Sequence, residues 1–338
     1  MDIAETYIIA EVGPNHNGDL DTARKMIRLL AKTGVNAVKF QLAVPENVYS
    51  KDAFKASYQK ANDGPGSPIE MSRRVQLLPD DHRYLYADCK EEGVDYLCSA
   101  FDLESLQFLD NNFSLPYFKI ASGEILSVDQ LRYISTKTVP VLISTGMATF
   151  DDIQKSLAIL DPKNNREITI MHCVSNYPTS LANINLRVMD NLARTFGRPV
   201  GYSDHSLGTA CCLAAVARGA RVVEKHVTID RNSQGPDHKA SATIDEIAEL
   251  VDGIRSIERA LGSDIKSVSN AELEISRMAR KSIVSKHRIS ANSVISSDDL
   301  CFKRPGIGIS PLDINNVIGK TAVEEIPADK VIHIDWLK

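Results

Sequence analysis

The chain has 338 residues, a formal net charge of −5 and 43% hydrophobic residues. That is enough apolar material for one large domain with a full core plus a small second one, and the mild acidity carries no nucleic-acid signature. No apolar run approaches the roughly 18 residues of a membrane span, no basic-then-apolar leader opens the chain, and Cys89, Cys98, Cys173, Cys211, Cys212 and Cys301 show no C-x-x-C spacing, so a reducing cytoplasm is expected.

Strand-like and helix-like runs alternate from the start. YIIAEVG (7–13) reads as a strand, and Asp19 then caps a helix over 20–33. AVKFQL (37–42) is the second strand. The polar stretch 43–78, with GPGSP at 64–68, reads as a long loop, and a loop of that length is a lid or a binding loop. Pro79-Asp80-Asp81 opens the next helix. Further strands are expected at 95–101, 117–122, 139–145, 168–173, 199–204 and 221–227. Helical segments such as 151–160 and 207–218 separate them, and the last helix runs from Ile244 to Leu261, stopped by Gly262. Eight β-then-α units imply a closed (β/α)8 TIM barrel, and no G-x-G-x-x-G follows the first strand to suggest a dinucleotide fold. The expected domains are a barrel over 1–268, a polar linker over 269–280 and a small, mainly β module over 281–338.

The stretch RVVEKHVTID (221–230) organises the chemistry. Glu224, Lys225 and His226 interrupt an apolar, β-branched run, and an unpaired buried charge is expensive. Side chains alternate along a strand, so Glu224 and His226 share one face. GYSDHS (201–206) repeats the arrangement with Ser203 and His205. In TIM barrels the chemistry sits at the C-terminal strand ends. Those ends read Glu11; Lys39 and Gln41; Ser99; Lys119, Ser122 and Glu124; Ser144; His172 and Ser175; Ser203, Asp204 and His205; Glu224 and His226. Ordinary solvated strand-to-loop transitions would account for the serines and Asp204. They account badly for Lys39, Lys119 and His226, each with apolar neighbours on both sides.

Two lysines with Ser99, Ser122, Ser144 and Ser203 form an inventory for an anion such as a phosphate beside a carboxylate. His205 and His226 are candidate metal ligands, suited to Mn²⁺, Zn²⁺, Co²⁺ or Fe²⁺, and Glu11, Glu224 or Asp237 can join them. His172 reads equally well as a packed strand residue. His82, His287 and His333 read as non-catalytic, whereas His16 and His238 lie in loops beside the site as candidate substrate contacts.

IIAEVGPNHNGD (8–19), VKFQ (38–41), KIASGE (119–124), STGMAT (144–149), HCVSNYPT (172–179), GYSDHSLG (201–208), EKHVTID (224–230) and GPDHKAS (235–241) together resemble the sialic acid (nonulosonic acid) synthase family. KRPGIGISP (303–311) resembles that family's C-terminal antifreeze-like (SAF) domain. The resemblance covers the whole chain in order. It implies a cytoplasmic, metal-dependent transferase that joins phosphoenolpyruvate to the open-chain aldehyde of an N-acetylated hexosamine, giving a nine-carbon α-keto acid and phosphate. It further implies that His205 and His226 hold the metal, Mn²⁺ first, with Mg²⁺ or Co²⁺ as alternatives. Lys39, Ser99, Lys119, Ser122, Ser144 and Ser203 match the phosphoenolpyruvate pocket. Gln41, Asn62, Phe101, Glu124, Tyr177 and Asp237 match positions facing the sugar or the reacting water. Glu11 and Glu124 are the carboxylates expected to stabilise the developing cation and activate water. Arg304 matches an arginine that reaches the sugar from the partner in a domain-swapped homodimer. Neither nucleic acid nor a membrane is an expected partner.

Bacterial N-acetylneuraminate synthases tend to read HCNTEYP where this chain reads HCVSNYP. Val174 cannot hydrogen-bond a sugar hydroxyl as asparagine could, which points to a sugar with fewer hydroxyls. The candidates are a diacetamido-dideoxy hexose, leading to legionaminic or pseudaminic acid, or a 6-phosphorylated sugar, beside N-acetylmannosamine itself. Two other activities compete: a Schiff-base aldolase using Lys119 or Lys39 on pyruvate, and a non-catalytic sugar- or ice-binding protein.

Overall fold

The computed structural model describes residues 5–338. Eight parallel strands, each followed by helix, close on one another: β1 (Tyr7–Glu11), α1 (Leu20–Ala31), β2 (Ala37–Leu42), α2 (Pro45–Val48), α3 (Ser57–Asp63), α4 (Pro68–Val75), α5 (Asp81–Glu91), β3 (Asp95–Ala100), α6 (Leu103–Asn112), β4 (Phe118–Ile120), α7 (Val128–Ser135), β5 (Val141–Ser144), α8 (Phe150–Leu160), β6 (Ile168–Cys173), α9 (Leu181–Ile184), α10 (Val188–Phe196), β7 (Val200–Asp204), α11 (Ala210–Ala217) and β8 (Val222–Thr228). Strand β8 pairs with β1, which closes the barrel. A two-residue strand β9 (Ala242–Thr243) pairs in parallel with the end of β8, at Val227 and Thr228, before α12 (Ile244–Leu261). The expected TIM barrel is the observed fold.

The helices form where the sequence punctuates them. Asp19 accepts the Thr22 N–H to start α1, whose buried Ala23, Met26, Ile27 and Leu30 make one apolar stripe. Thr243 and Glu246 form a capping box at α12. The main core lies between these helix faces and the outward strand residues such as Ile8, Val38, Phe40, Val141 and Val223.

A second apolar layer plugs the barrel from inside: Ile9, Ala37, Leu97, Leu142, Met171 and Val222, with Tyr117 packed against it. Each is followed two residues later, on the same face, by Glu11, Lys39, Ser99, Ser144, Cys173, Glu224 or Lys119. On β7 the plug position is Gly201, because a Cβ there would lie 2.8 Å from the Val222 carbonyl oxygen. The interior therefore changes from apolar to polar at one level all round the barrel. Register aligns that level, pairing Glu11 with Lys39 and His226, Ser99 with Lys119, and Ser203 with Glu224.

Residues 43–78 are not the structureless loop expected from composition. They carry α2, α3 and α4, the last started by a Ser67–Glu70 capping box. The apolar positions Met71 and Val75 are buried, and buried Lys55 lies 2.7 Å from Asp63, an ion pair that polar composition alone conceals.

The compact units divide between Gly262 and Ser263. The stretch expected to be a linker, 269–280, contains α13 (Asn270–Ala279), capped by Ser269 and Glu272. The second unit pairs β10 (Ser282–Ser285) with β11 (Leu300–Lys303) in antiparallel fashion, with further single bridges such as Ile289 to Ile326. Its core is Ile283, Ile289, Ile295, Leu300, Val317, Ala322, Ile326 and Ile332. Among the described residues no helix is long and apolar enough to cross a membrane.

Candidate active site

Above the plug, strand ends converge on a pocket of about 380 Å³. Lys39 Nζ lies 2.7 Å from Glu11 Oε2 and 3.7 Å from Glu224 Oε1, and donates to Ser99 Oγ at 3.1 Å. Lys119 Nζ donates to Ser144 Oγ at 2.8 Å and lies 3.6 Å from Glu224 Oε2. Ser203 Oγ donates to Glu224 Oε1 at 3.2 Å, and Ser122 Oγ accepts the Gly146 N–H. All of these side chains line the same pocket. Two buried ammonium groups face two buried carboxylates, so neither sign is left alone.

The charges are unequal in stability. Burial pushes Glu11 up to about 7 even though Lys39 opposes it, and the nearby Glu224 adds to the rise. Burial also raises Glu224, but Lys119 and Lys39 outweigh it and leave that carboxylate below its ordinary range. Lys119 is lowered by burial. Of the two carboxylates in the cluster, Glu11 is therefore the one held nearer its neutral form.

His205 and His226 lie side by side at the ends of β7 and β8, ring centroids 5.3 Å apart. The Nδ1 of His205 donates to the Val174 carbonyl at 2.7 Å, which leaves Nε2 as a lone-pair donor. The buried Nδ1 of His226 has no hydrogen-bond partner, and the Asp237 carboxylate sits 3.7 Å from it. Burial holds His226 well below its ordinary value and Asp237 up at about 6. Two adjacent imidazoles, one with an orphaned nitrogen, fit a divalent cation, although among the described residues no group of three or more His, Cys, Asp or Glu is gathered to hold one. Cys173 Sγ lies 3.7 Å from His205 Nδ1, at the edge of the same pocket.

Tyr177 packs against both histidines and stacks on Tyr58 of α3 at 5.2 Å. Past this stack a second cavity of about 200 Å³ continues beneath α2–α4, and Gln41, Tyr58, Gln59, Phe101, Tyr177 and His226 belong to both. Gln41 donates to Glu11 Oε1 at 2.7 Å. Exposed Phe54 and Met147 flank the mouth.

Several expected site residues lie elsewhere. Glu124 does not join Glu11: it is the last residue of a 3₁₀ turn at Ser122–Glu124 that swings it into a neighbouring groove, where it accepts from Ser127 and Gln130. Asn62 lines neither cavity; it donates to the Pro236 carbonyl at 2.9 Å, tying α3 to the segment that carries Asp237. Val174 lines a separate cleft with Phe150, Ile153 and Leu192, so what reaches the site is its carbonyl, on His205. His172 bonds the Ile184 carbonyl, and His238 bonds Thr228, so both are held structurally. Arg304 belongs to the second compact unit.

The sequence reading missed Cys173, Tyr58 and Gln59. Cys173 was legible two residues after the plug residue Met171. Nothing local marked Tyr58 and Gln59, which reach the pocket only because 43–78 folds back.

A sequence model of the NeuB family matches residues 26–266, and one of the SAF domain matches residues 280–337. The chain is 39% identical over 331 residues to the N,N'-diacetyllegionaminic acid synthase of Campylobacter jejuni, covering 97% of this chain and 99% of that one. It is 39% identical over 319 residues to the protein of the same name from Legionella pneumophila, covering 93% and 89%. Among solved structures it resembles the N-acetylneuraminic acid (sialic acid) synthetase of Leptospira borgpetersenii, crystallised with citrate. The TM-score is 0.72 at 30% identity, over 80% of this chain and 90% of that one.

Proposed function

The chain belongs to the NeuB family and ends in a SAF domain, and we propose that it is a nonulosonic acid synthase. This transferase joins phosphoenolpyruvate and water to an N-acylated hexosamine, giving a nine-carbon α-keto acid and phosphate. The observation that carries the proposal is the strand-end level where Lys39, Lys119, Ser99, Ser144 and Ser203 meet Glu11 and Glu224 directly above an apolar plug.

In this reading Lys39 and Lys119, with the serine hydroxyls, take the phosphate and carboxylate of phosphoenolpyruvate. Their present partners Glu11 and Glu224 keep them charged until then. The enol carbon of phosphoenolpyruvate bonds to the aldehyde carbon, and positive charge develops at the carbon bearing the phosphate oxygen. Glu224, held ionised, faces that charge. Water then adds to the same carbon; one of its protons passes by way of Glu11 to the aldehyde-derived oxygen, and the other leaves with the phosphate as the adduct collapses to the ketone.

His205 and His226 would hold a divalent metal, Mn²⁺ first, with Mg²⁺ or Co²⁺ as alternatives. When bound, such an ion supplies Lewis acidity to an aldehyde oxygen. Tyr177, packed on both rings, orients them and excludes water.

The two relatives at 39% identity favour a diacetamido-dideoxy hexose, leading to a legionaminic acid, as the sugar. A domain-swapped homodimer in the cytoplasm, with Arg304 reaching the partner's barrel, belongs to the same reading.

The test is phosphate release from phosphoenolpyruvate with Mn²⁺, in parallel on N-acetylmannosamine, its 6-phosphate and a diacetamido-dideoxy hexose. Release that needs both substrates and is abolished by EDTA supports the proposal. Borohydride trapping of pyruvate on Lys119, with no metal requirement, would replace it by the aldolase.

A further inference from the structure

The second cavity has a chemistry of its own. It begins at His226, runs behind the Tyr58–Tyr177 stack, and is walled by Val48, Met71 and Val75 of the folded 43–78 segment. Among the described residues no lysine or arginine lines it. The carboxylate that lines it, Asp237, faces His226 and offers an anion no attraction. An anionic group entering this space would lose its hydration and find no counter-charge.

Among the polar groups that line it, His16 is placed to meet a ligand. His16 is 2% exposed and lines the cavity. Its Nδ1 accepts the Gly18 N–H at 3.0 Å, so the ring proton sits on Nε2. Among the described residues no hydrogen bond to Nε2 is present. Burial lowers His16 to about 4, so the ring stays a neutral single donor at working pH. A neutral donor in a cavity where the amides of Gln41, Gln59 and Gln76 stand beside apolar Val48, Met71 and Val75 matches an uncharged polar group with an apolar end, such as the carbonyl and methyl of an acylamino group.

Resting on the synthase reading above, we infer that this cavity is a subsite for an uncharged acylamino or methyl-bearing end of the sugar. His16 Nε2–H donates to an acyl carbonyl there, and a phosphorylated sugar end is refused. His16 is thereby a specificity-determining residue, and the aldehyde at the other end of the substrate is left beside His205 and His226.

The test uses the full-length enzyme with Mn²⁺ and the three sugars named above. The diacetamido sugar should exceed the 6-phosphate in kcat/KM by about 100-fold or more, the scale on which a buried site rejects a group it cannot pair. His16→Ala should lower kcat/KM for the diacetamido sugar by about 10- to 100-fold, with the KM for phosphoenolpyruvate unchanged. His16→Gln, which restores an N–H donor, should recover most of that loss. Met71→Arg should raise turnover of the 6-phosphate relative to the diacetamido sugar. Comparable turnover of the 6-phosphate by the unaltered enzyme would overturn the inference. So would a His16→Ala variant that loses activity equally on every sugar while its KM for phosphoenolpyruvate rises. Silence on all three sugars overturns the synthase reading together with this one, whereas either of the preceding results overturns the subsite alone.

Discussion

Lys225 Nζ lies 2.6 Å from Asp204 Oδ2, and both side chains are fully buried behind the strands that present His226 and His205 inward. The pair is well satisfied. Lys225 also donates to the Ser206 carbonyl, and Asp204 Oδ1 accepts from the Tyr202 and Ser206 hydroxyls and the Ser206 N–H. Each charged residue is next in sequence to one histidine, so the ion pair ties the ends of β7 and β8 together.

Removing one partner leaves the other charge buried and unpaired. Lys225→Met or Asp204→Leu should each cost about 3–5 kcal/mol of stability, and the double variant should cost less than the sum. Urea unfolding of the four proteins checks this. Strict additivity would mean that the two side chains do not act as a pair.

Glu11 is raised to about 7 by burial, the proximity of Glu224 adding to the rise against Lys39. Its proposed part is to take a proton from water, which requires the ionised form. Activity should fall as pH drops below about 7, and Glu11→Gln should lower kcat by about 10²- to 10⁴-fold with the fold intact. A Glu11→Gln enzyme of near-normal rate would remove Glu11 from the chemistry.

Lys55 is buried and spans Asp63 at 2.7 Å and the Gly64 carbonyl at 3.1 Å, which holds α3 in place. Asn62, one residue before Asp63, anchors the same helix to Pro236. Lys55→Met should loosen this segment by about 3 kcal/mol while the barrel melts as before. Limited proteolysis should then cut within 43–78 faster, and the KM for the sugar should rise. Unchanged cleavage would show that the helix is held by packing alone.

Asp161 gives a pH signature away from the site. Burial pushes its carboxyl up, but Arg198, with Oδ2 2.6 Å from Nη2, and the Asn165 and Arg166 N–H groups hold it below the ordinary range. A carboxylate lowered in the native state contributes stability above its unfolded pKa of about 3.9, and loses it as pH falls through the native value. The stability gap between the unaltered protein and Asp161→Asn should therefore be full near neutrality and close below about pH 4. A gap that stayed constant with pH would assign the effect to shape rather than charge.

What the sequence determined by itself was the barrel and the polar level inside it. Side chains alternate on a strand whatever surrounds it, so Ile9 and Glu11, Ala37 and Lys39, Leu142 and Ser144 had to share a face. Charge inside apolar runs then named Lys39, Lys119, Glu224 and His226 before any contact was visible. Caps such as Asp19 and Thr243 are equally local. Tertiary structure decided the rest. Glu124 leaves the pocket because a 3₁₀ turn, with no fixed alternation, aims it at Ser127 and Gln130. Helix α4 within 43–78 has a local cap at Ser67 and Glu70, but α3 is placed over the site by Lys55 meeting Asp63 and by Asn62 meeting a carbonyl 174 residues away. Loop side chains take their direction from such distant partners, and no local period in the sequence encodes it.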